Sequence, residues 1–384
     1  MRNWLLPENI EDILPPQAQR IERMRARLLE LFRVHGYQLV IPPMLEYLES
    51  LLTGTGHDLD LRTFKLVDQL SGRMMGLRAD ITPQVARIDA RLLDRKGVTR
   101  LCYAGSVLLT RPRGLDSTRE PLQIGAEIYG HAGIESDLEI QTLLIEALAA
   151  CGISGARLDI GHVAVFRAIC RHGGLAAELE SELYEALEGK DLPALRVVTQ
   201  SMPEATREAL LALPELYGDG TVLERARRVL PKYPEIDAAL ENLKVLSRSG
   251  SIPVSVDLAD LRGYHYHSGV VFAAYAPGVA SAVALGGRYD EVGRAFGRGR
   301  PATGFSMDLR DLARTAPHEA EAAAIRAPYS DDEGLVTAIR KLRTGGEVVV
   351  VGLPGHAAEG VEPDCDRELV KLAGEWTVRK LDKS

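Results

Sequence analysis

Apolar residues return every three or four positions between Gln17 and Val34. Ile21, Met24, Leu28 and Leu31 make one stripe, the pattern of a helix with a single buried face. Gly36 is a natural stop for it. Gln38–Ile41 then reads as a short strand closed by Pro42 and Pro43, since proline brings no N–H to a ladder. Further strands are expected at Met74–Leu77, Leu101–Thr110 and Leu122–Tyr129, the last two joined as a long hairpin by the Arg-, Pro- and Gly-rich stretch Arg111–Pro121. Asp137–Ala150 is an apolar-rich helix and Ala156–Ile160 a returning strand.

From Val163 to Arg248 the pattern is helical throughout, broken at Asp191–Pro193, Ser201–Pro203 and Leu230–Pro234. This predicts an inserted or appended helical module. Strand character resumes at Val254–Asp257, Val270–Tyr275 and Ser281–Leu285, and leads into Gly286-Gly287-Arg288-Tyr289-Asp290 before a helix at Met307–Arg314. The Ala- and Glu-rich stretch Ala316–Ala327 is a linker or a helix. The tail beyond it carries a helix at Asp332–Leu342 and strands at Glu347–Val351 and Glu375–Val378. Strands separated by helix without regular βαβ alternation predict an α+β fold with an antiparallel sheet. No GxGxxG or GxxxxGKS loop follows a strand, so the common nucleotide-binding loops are absent.

Length and charge narrow the function. The 384 residues allow two or three domains with one sizeable core. Lys and Arg number 46 against 54 Asp and Glu, a net charge of -8, opposite to the footprint of a dedicated nucleic-acid binder, and no nucleic-acid partner is expected. Cys102, Cys151, Cys170 and Cys365 are scattered without CxxC spacing, which predicts reduced thiols and neither metal nor cofactor. Met1–Pro16 holds prolines and acids where a signal peptide has a basic flank and an apolar core, and no run reaches the roughly twenty apolar residues of a membrane span. The expectation is a cytoplasmic protein with no membrane partner.

Four sequence words, together with the helix, strand and proline order of Gln17–Pro43, carry a specific resemblance. Leu77-Arg78-Ala79-Asp80-Ile81-Thr82 is similar to the Leu-Arg-Pro-Glu-Gly-Thr of histidyl-tRNA synthetases, and Gln123-Ile124-Gly125-Ala126-Glu127-Ile128-Tyr129-Gly130 to their Gln-x-Gly-x-Glu-x-Phe-Gly. Leu261-Arg262-Gly263-Tyr264-His265-Tyr266-His267 resembles their Leu-Arg-Gly-Leu-Asp-Tyr-Tyr, and Gly286–Asp290 matches Gly-Gly-Arg-Tyr-Asp. The resemblance covers roughly the first 315 residues. It implies a class II aminoacyl-tRNA synthetase-like antiparallel sheet flanked by helices, with a helical insertion at about 163–248 and a small C-terminal α/β tail. The implied division is a core at 1–315, a linker at 316–327 and a C-terminal domain at 328–384.

The departures point elsewhere. Where the synthetases carry an Arg-x-Glu that grips ATP, Gly105-Ser106-Val107-Leu108-Leu109-Thr110-Arg111-Pro112 has Leu and Thr. Where they end the third motif in Gly-Leu-Glu-Arg, this chain has Asp308-Leu309-Arg310-Asp311. Each charge-assisted bond to phosphate contributes about 1.5 to 3 kcal/mol, so losing two arginines weakens nucleotide binding by orders of magnitude. Rescue by Arg310 is opposed by its turn of about 100 degrees around the helix, which leaves Arg111 as the better candidate. A synthetase core without its ATP grip, with Thr82-Pro83-Gln84, resembles the ATP phosphoribosyltransferase regulatory subunits, paralogues of the synthetase that assemble with a short-form catalytic subunit in the first step of histidine biosynthesis.

That resemblance implies a non-catalytic chain with no catalytic residues, a homodimer within a hetero-oligomer, and histidine as feedback effector. Asp80 and Thr82 would meet the ligand's amino group with Gln123 and Glu127 beside them. Arg262 would face its carboxylate, and Tyr266 and Tyr289 its imidazole, with His267 at the position of a family tyrosine. The helical module and the hairpin loop, both expected to be exposed and weakly tied to the sheet, are the candidate switching elements. Taken without the resemblance, Asp80, Thr82, Gln123 and Glu127 are equally a satisfied polar network, and Tyr266 and Tyr289 packing aromatics. His265 and His267, two apart on a presumed strand, would share a face but lack a third metal ligand nearby. An active histidyl-tRNA synthetase and a stand-alone amino-acid sensor are the alternatives.

Overall fold

The computed structural model describes residues 5–53, 57–114, 117–317, 323–355 and 365–381, and the chain divides into two compact units, Met1–Pro317 and His318–Ser384. In the first, α1 (Gln17–Val34) buries Ile21, Met24, Leu28 and Phe32. Phe32 takes the place expected for Leu31 because eleven residues from Ile21 complete about three helical turns. Gly36, at φ 84°, turns the chain out of the helix. β1 (Gln38–Leu39) follows and is shorter than the expected Gln38–Ile41, since Pro42 and Pro43 end the ladder early. β2 (Leu45–Tyr47), α2 (Leu48–Leu51), α3 (His57–Arg62), β3 (Phe64–Val67) and β4 (Met74–Leu77) build a small antiparallel sheet in the order β2-β4-β3.

α4 (Thr82–Arg87) runs into a π-helical turn at Ile88–Leu93, and β5 (Thr99–Ser106) and β6 (Leu122–Tyr129) form the hairpin. The strand expected to reach Thr110 ends at Ser106, for a visible reason. Val107 and Leu109 still donate across the hairpin to the Pro121 and Arg119 carbonyls, but the Leu108 and Thr110 N–H groups go to Arg78 and Arg62. α5 (Ile134–Ala150) and β7 (Arg157–His162) lead into α6 (Val163–His172), α7 (Ala177–Glu188), α8 (Leu192–Val198), α9 (Glu204–Ala212), β8 (Tyr217–Gly218), α10 (Val222–Val229) and α11 (Pro234–Arg248).

β9 (Val254–Asp257), β10 (Val270–Tyr275), β11 (Ala284–Arg288), β12 (Ala302–Asp308) and α12 (Leu309–Thr315) complete the unit. Gly286 and Gly287 therefore lie inside a strand, which begins three residues later than expected. A side chain at Gly286 would collide with the Phe272 ring, so glycine keeps the ladder closed there. The nine strands run β1-β5-β6-β12-β11-β10-β7-β9-β8. The centre is antiparallel, while β1 with β5 and β7 with β9 are parallel.

One hydrophobic core joins Phe32 of α1, Phe305 of β12 and the helices from α6 to α11. Phe166, Leu183, Leu187, Leu240 and Leu243 are fully buried within it, and β8 pairs with β9 at the sheet edge. The helical module is thus built into the sheet rather than weakly tied to it, which corrects the expectation. The apolar periodicity that made it look self-contained is the face it buries on β7, β9 and β10.

In the second unit β13 (Ala324–Ala327) lies between β14 (Val349–Val351) and β15 (Cys365–Leu372), both parallel to it, and β16 (Glu375–Lys380) pairs antiparallel with β15. α13 (Glu333–Thr344) covers the sheet with Leu335 and Ile339 against Ile325, Val349 and Leu369. Residues 324–327, expected within a linker, are the second strand of this sheet. A short Ala-rich run buried on both faces shows no alternation to mark it. The rest of that stretch, 318–322, lies outside the described residues. No helix among the described residues is long and apolar enough to cross a membrane.

Candidate functional site

The antiparallel centre of the large sheet supplies the floor of a cavity of about 370 Å³. Along β6, Ile124, Ala126 and Ile128 pack into the core, and the alternate residues Gln123, Gly125 and Glu127 take the opposite face. Gly304 on β12 stands opposite Glu127. A Cβ at Gly304 would lie 1.6 Å from Glu127 Oε2, so the carboxyl occupies the space that this glycine leaves. Gly125 does the same for the Tyr103 ring on β5.

Above this floor the start of α4 closes one wall. Gln123 Oε1 accepts from the Ile81 N–H at 2.9 Å, while its Nε2 donates to Asp80 Oδ1 at 2.8 Å. Asp80 Oδ1 also accepts from the Thr82 N–H at 3.1 Å, an Asx turn that starts the helix. Thr82 Oγ1 donates to Glu127 Oε1 at 3.2 Å, and Tyr103 OH donates to the same oxygen at 3.0 Å. Tyr289 OH donates to Oε2. Glu127, 1% exposed, is held by three hydroxyls and by no cation among the described residues.

Burial pushes the Glu127 carboxyl up to about 8; the bonds from Tyr289, Tyr103 and Thr82 pull against that rise, and the Asp80 charge adds to it. A small ligand bearing an ammonium group supplies what this cage lacks. Beside it the Tyr266 and Tyr289 rings lie 5.1 Å apart, with His267 perpendicular to Tyr266 at 5.4 Å. The Tyr266 hydroxyl is buried without a hydrogen-bond partner among the described residues. Burial holds His267 down to about 4, and its Nδ1 lies 3.3 Å from the Arg288 carbonyl, so the ring is neutral at pH 7.

Arg262 also lines the cavity, but its Nε donates to Asp260 Oδ1 at 2.7 Å and its Nη2 to the Tyr275 hydroxyl at 3.2 Å. All eight site residues expected from the sequence thus lie around one cavity. His265 parts from His267. The segment is a turn rather than a strand, and His265 packs on Tyr184 and Tyr264 while His267 faces Tyr289. Among the described residues no group of three His, Cys, Asp or Glu side chains could hold a metal ion.

Sequence reading missed Tyr103, Arg113, and Tyr184 and Glu188 of α7. Tyr103 was within reach, since strand alternation puts it on the face opposite Gly125. Tyr184 and Glu188 were not, because only the packing of α7 on the 261–267 turn brings them there. The positions that grip ATP in synthetases hold different chemistry. Leu108 is half-buried with its N–H on the Arg78 carbonyl, Thr110 Oγ1 donates to the Leu61 carbonyl at 2.7 Å, and Asp311 pairs with Arg314. Arg310 is buried and turned to Glu120 at 3.2 Å. Of the hairpin arginines, Arg113 and not Arg111 reaches the cavity wall.

The histidyl-tRNA synthetase family model matches residues 9–312, and the model for the C-terminal domain of ATP phosphoribosyltransferase subunit HisZ matches 322–379. An ATP phosphoribosyltransferase regulatory subunit of Ralstonia pickettii is 61% identical over 383 residues, covering 100% of this chain and 99% of that one. The chain belongs to the ATP phosphoribosyltransferase regulatory subunit family. A second regulatory subunit, from Paraburkholderia phymatum, is 61% identical and spans 98% of this chain and 99% of its own. Among solved structures, one titled as a regulatory subunit/histidyl-tRNA synthetase from Bacillus halodurans superposes with a TM-score of 0.83 at 27% identity, covering 94% and 95% of the two chains. The histidyl-tRNA synthetase of Nostoc sp. PCC 7120 shares the fold, with a TM-score of 0.78 at 17% identity over 98% and 97% of the chains.

Proposed function

We propose that this chain is the non-catalytic regulatory subunit of an ATP phosphoribosyltransferase and docks on a short-form catalytic subunit that joins ATP to phosphoribosyl pyrophosphate in the first step of histidine biosynthesis. Histidine is its effector, bound with the ammonium at Glu127, Asp80, Thr82 and Gln123, the carboxylate toward Arg262, and the imidazole among Tyr266, His267 and Tyr289. The observation that carries this reading is the hydroxyl-lined, cation-free carboxyl of Glu127 in a core whose phosphate-gripping positions hold Leu, Thr and Asp. The core works in the cytoplasm as a homodimer through its first helix and strand, where Leu39 and Ile41 are 49% and 81% exposed. The C-terminal domain, which includes β13 from Ala324, stands as a compact unit of its own.

Reconstitution tests it. The catalytic subunit alone should be weakly active, addition of this chain should raise its turnover, and histidine should lower that turnover again. Histidine-dependent exchange of pyrophosphate into ATP by the chain alone would make it a synthetase and overturn the reading.

A further inference from the structure

Among the described residues, every group packed around Glu127 is neutral or negative. β5 contributes the Tyr103 hydroxyl, the start of α4 contributes Asp80 and Thr82, the end of β11 leads to Tyr289, and β6 itself carries Gln123 and Tyr129. The 261–267 turn adds Tyr266 and a neutral His267. Gly304 on β12 brings no side chain. The arginines on the cavity wall, Arg62, Arg113 and Arg262, make no hydrogen bond to Glu127, and Arg262 is engaged by Asp260 and Tyr275. A carboxylate in this enclosure has three hydroxyl donors but no counter-charge, and a buried charge without one is costly.

We propose that ligand binding in this cavity is a proton exchange: the empty site holds Glu127 as the neutral acid, and an incoming primary ammonium sends that proton to solvent and becomes the partner of the carboxylate. The inference rests on the amino-acid reading of the site and adds its linkage to pH. The O–H bond of Glu127 breaks, the proton passes to buffer, and an ammonium N–H donates to the oxygen left behind, with no change in the ligand. The buried acid's upward shift to about 8 sets the range. Below that pH, binding requires ionisation of Glu127 and affinity falls by about tenfold per pH unit. Near and above 8 the dependence on Glu127 disappears.

Two measurements on the full chain decide it. Infrared difference spectra between the wild type and Glu127→Gln, without ligand at pH 7, should show the carbonyl band of a protonated carboxyl that fades as pH rises through 8; its absence at pH 7 overturns the proposal whatever the ligand does. Titration calorimetry with histidine at pH 7, in phosphate and in Tris, should show close to one proton released per histidine bound. Histidine binding with the same heat in both buffers overturns the exchange and leaves the amino-acid reading standing. No histidine binding beside a clear infrared band overturns the amino-acid reading and the exchange with it.

Discussion

At the floor of the cavity, Asp80, Gln123 and Glu127 keep a polar cage in which every hydrogen bond runs between side chains or to the start of α4, and none involves a cation. At the hairpin and at α12, where synthetases place the arginines that hold ATP, this chain has Leu108 half-buried with its N–H on the Arg78 carbonyl, Thr110 tied to α3 and Asp311 paired with its own helix. One region therefore kept an unmet demand for a cation while the other lost its supply of cations for an anion. The fold did not decay uniformly. The polar cage around Glu127 is intact, and the positions where synthetases carry phosphate-gripping arginines hold ordinary packing and a surface ion pair.

Removing the cage tests that contrast most severely. Glu127→Ala deletes the carboxyl and leaves three hydroxyls without their acceptor, and breaking a buried ionic pair costs about 3 to 5 kcal/mol, so histidine affinity should fall by roughly a hundredfold or more. Calorimetric affinity unchanged from the wild type would place histidine elsewhere. Gly304→Ala keeps the carboxyl but puts a methyl into the space of Oε2 and against the Ala126 carbonyl, 2.7 Å away. Overpacking of this kind costs about 1 to 3 kcal/mol, so histidine should bind about ten- to a hundredfold more weakly and the denaturation midpoint should drop. A normal midpoint with normal affinity would show that the cage does not need its shape.

The difference between the two regions was already visible in residue types. Leu and Thr in the hairpin, Asp at 311, and Asp80, Thr82, Gln123 and Glu127 were legible because motif order fixes which strand and which face each occupies. The α+β centre was legible too, since β6 alternates Ile124, Ala126 and Ile128 with Gln123 and Glu127, and β10 is a short run of Val, Phe, Ala and Tyr of strand character. What escaped depends on long-range packing. Nothing local says that α7 folds back to place Tyr184 beside His265, or that the 261–267 segment is a turn, which separates two histidines that a strand would have aligned. Ala324–Ala327 looked like linker because a strand covered on both faces shows no alternation. Cys365–Leu372 was missed for the opposite reason, as its charged residues resemble an exposed loop.

Arg262 offers the finest test of whether the cage reads a whole zwitterion or an ammonium alone. Its guanidinium is steered by Asp260 through Nε and by Tyr275 through Nη2, and the Arg157 guanidinium lies 5.2 Å over the Tyr275 ring. Tyr275→Phe removes one hydrogen bond and leaves the Asp260 anchor and the ring in place, a loss of about 0.5 to 1.5 kcal/mol in the positioning of Arg262. Histidine should then bind about two- to tenfold more weakly. Histamine, which has the ammonium and the imidazole but no carboxylate, should bind the variant and the wild type alike. Equal weakening of both ligands would mean that Tyr275 supports the turn as a whole and that Arg262 does not meet the carboxylate.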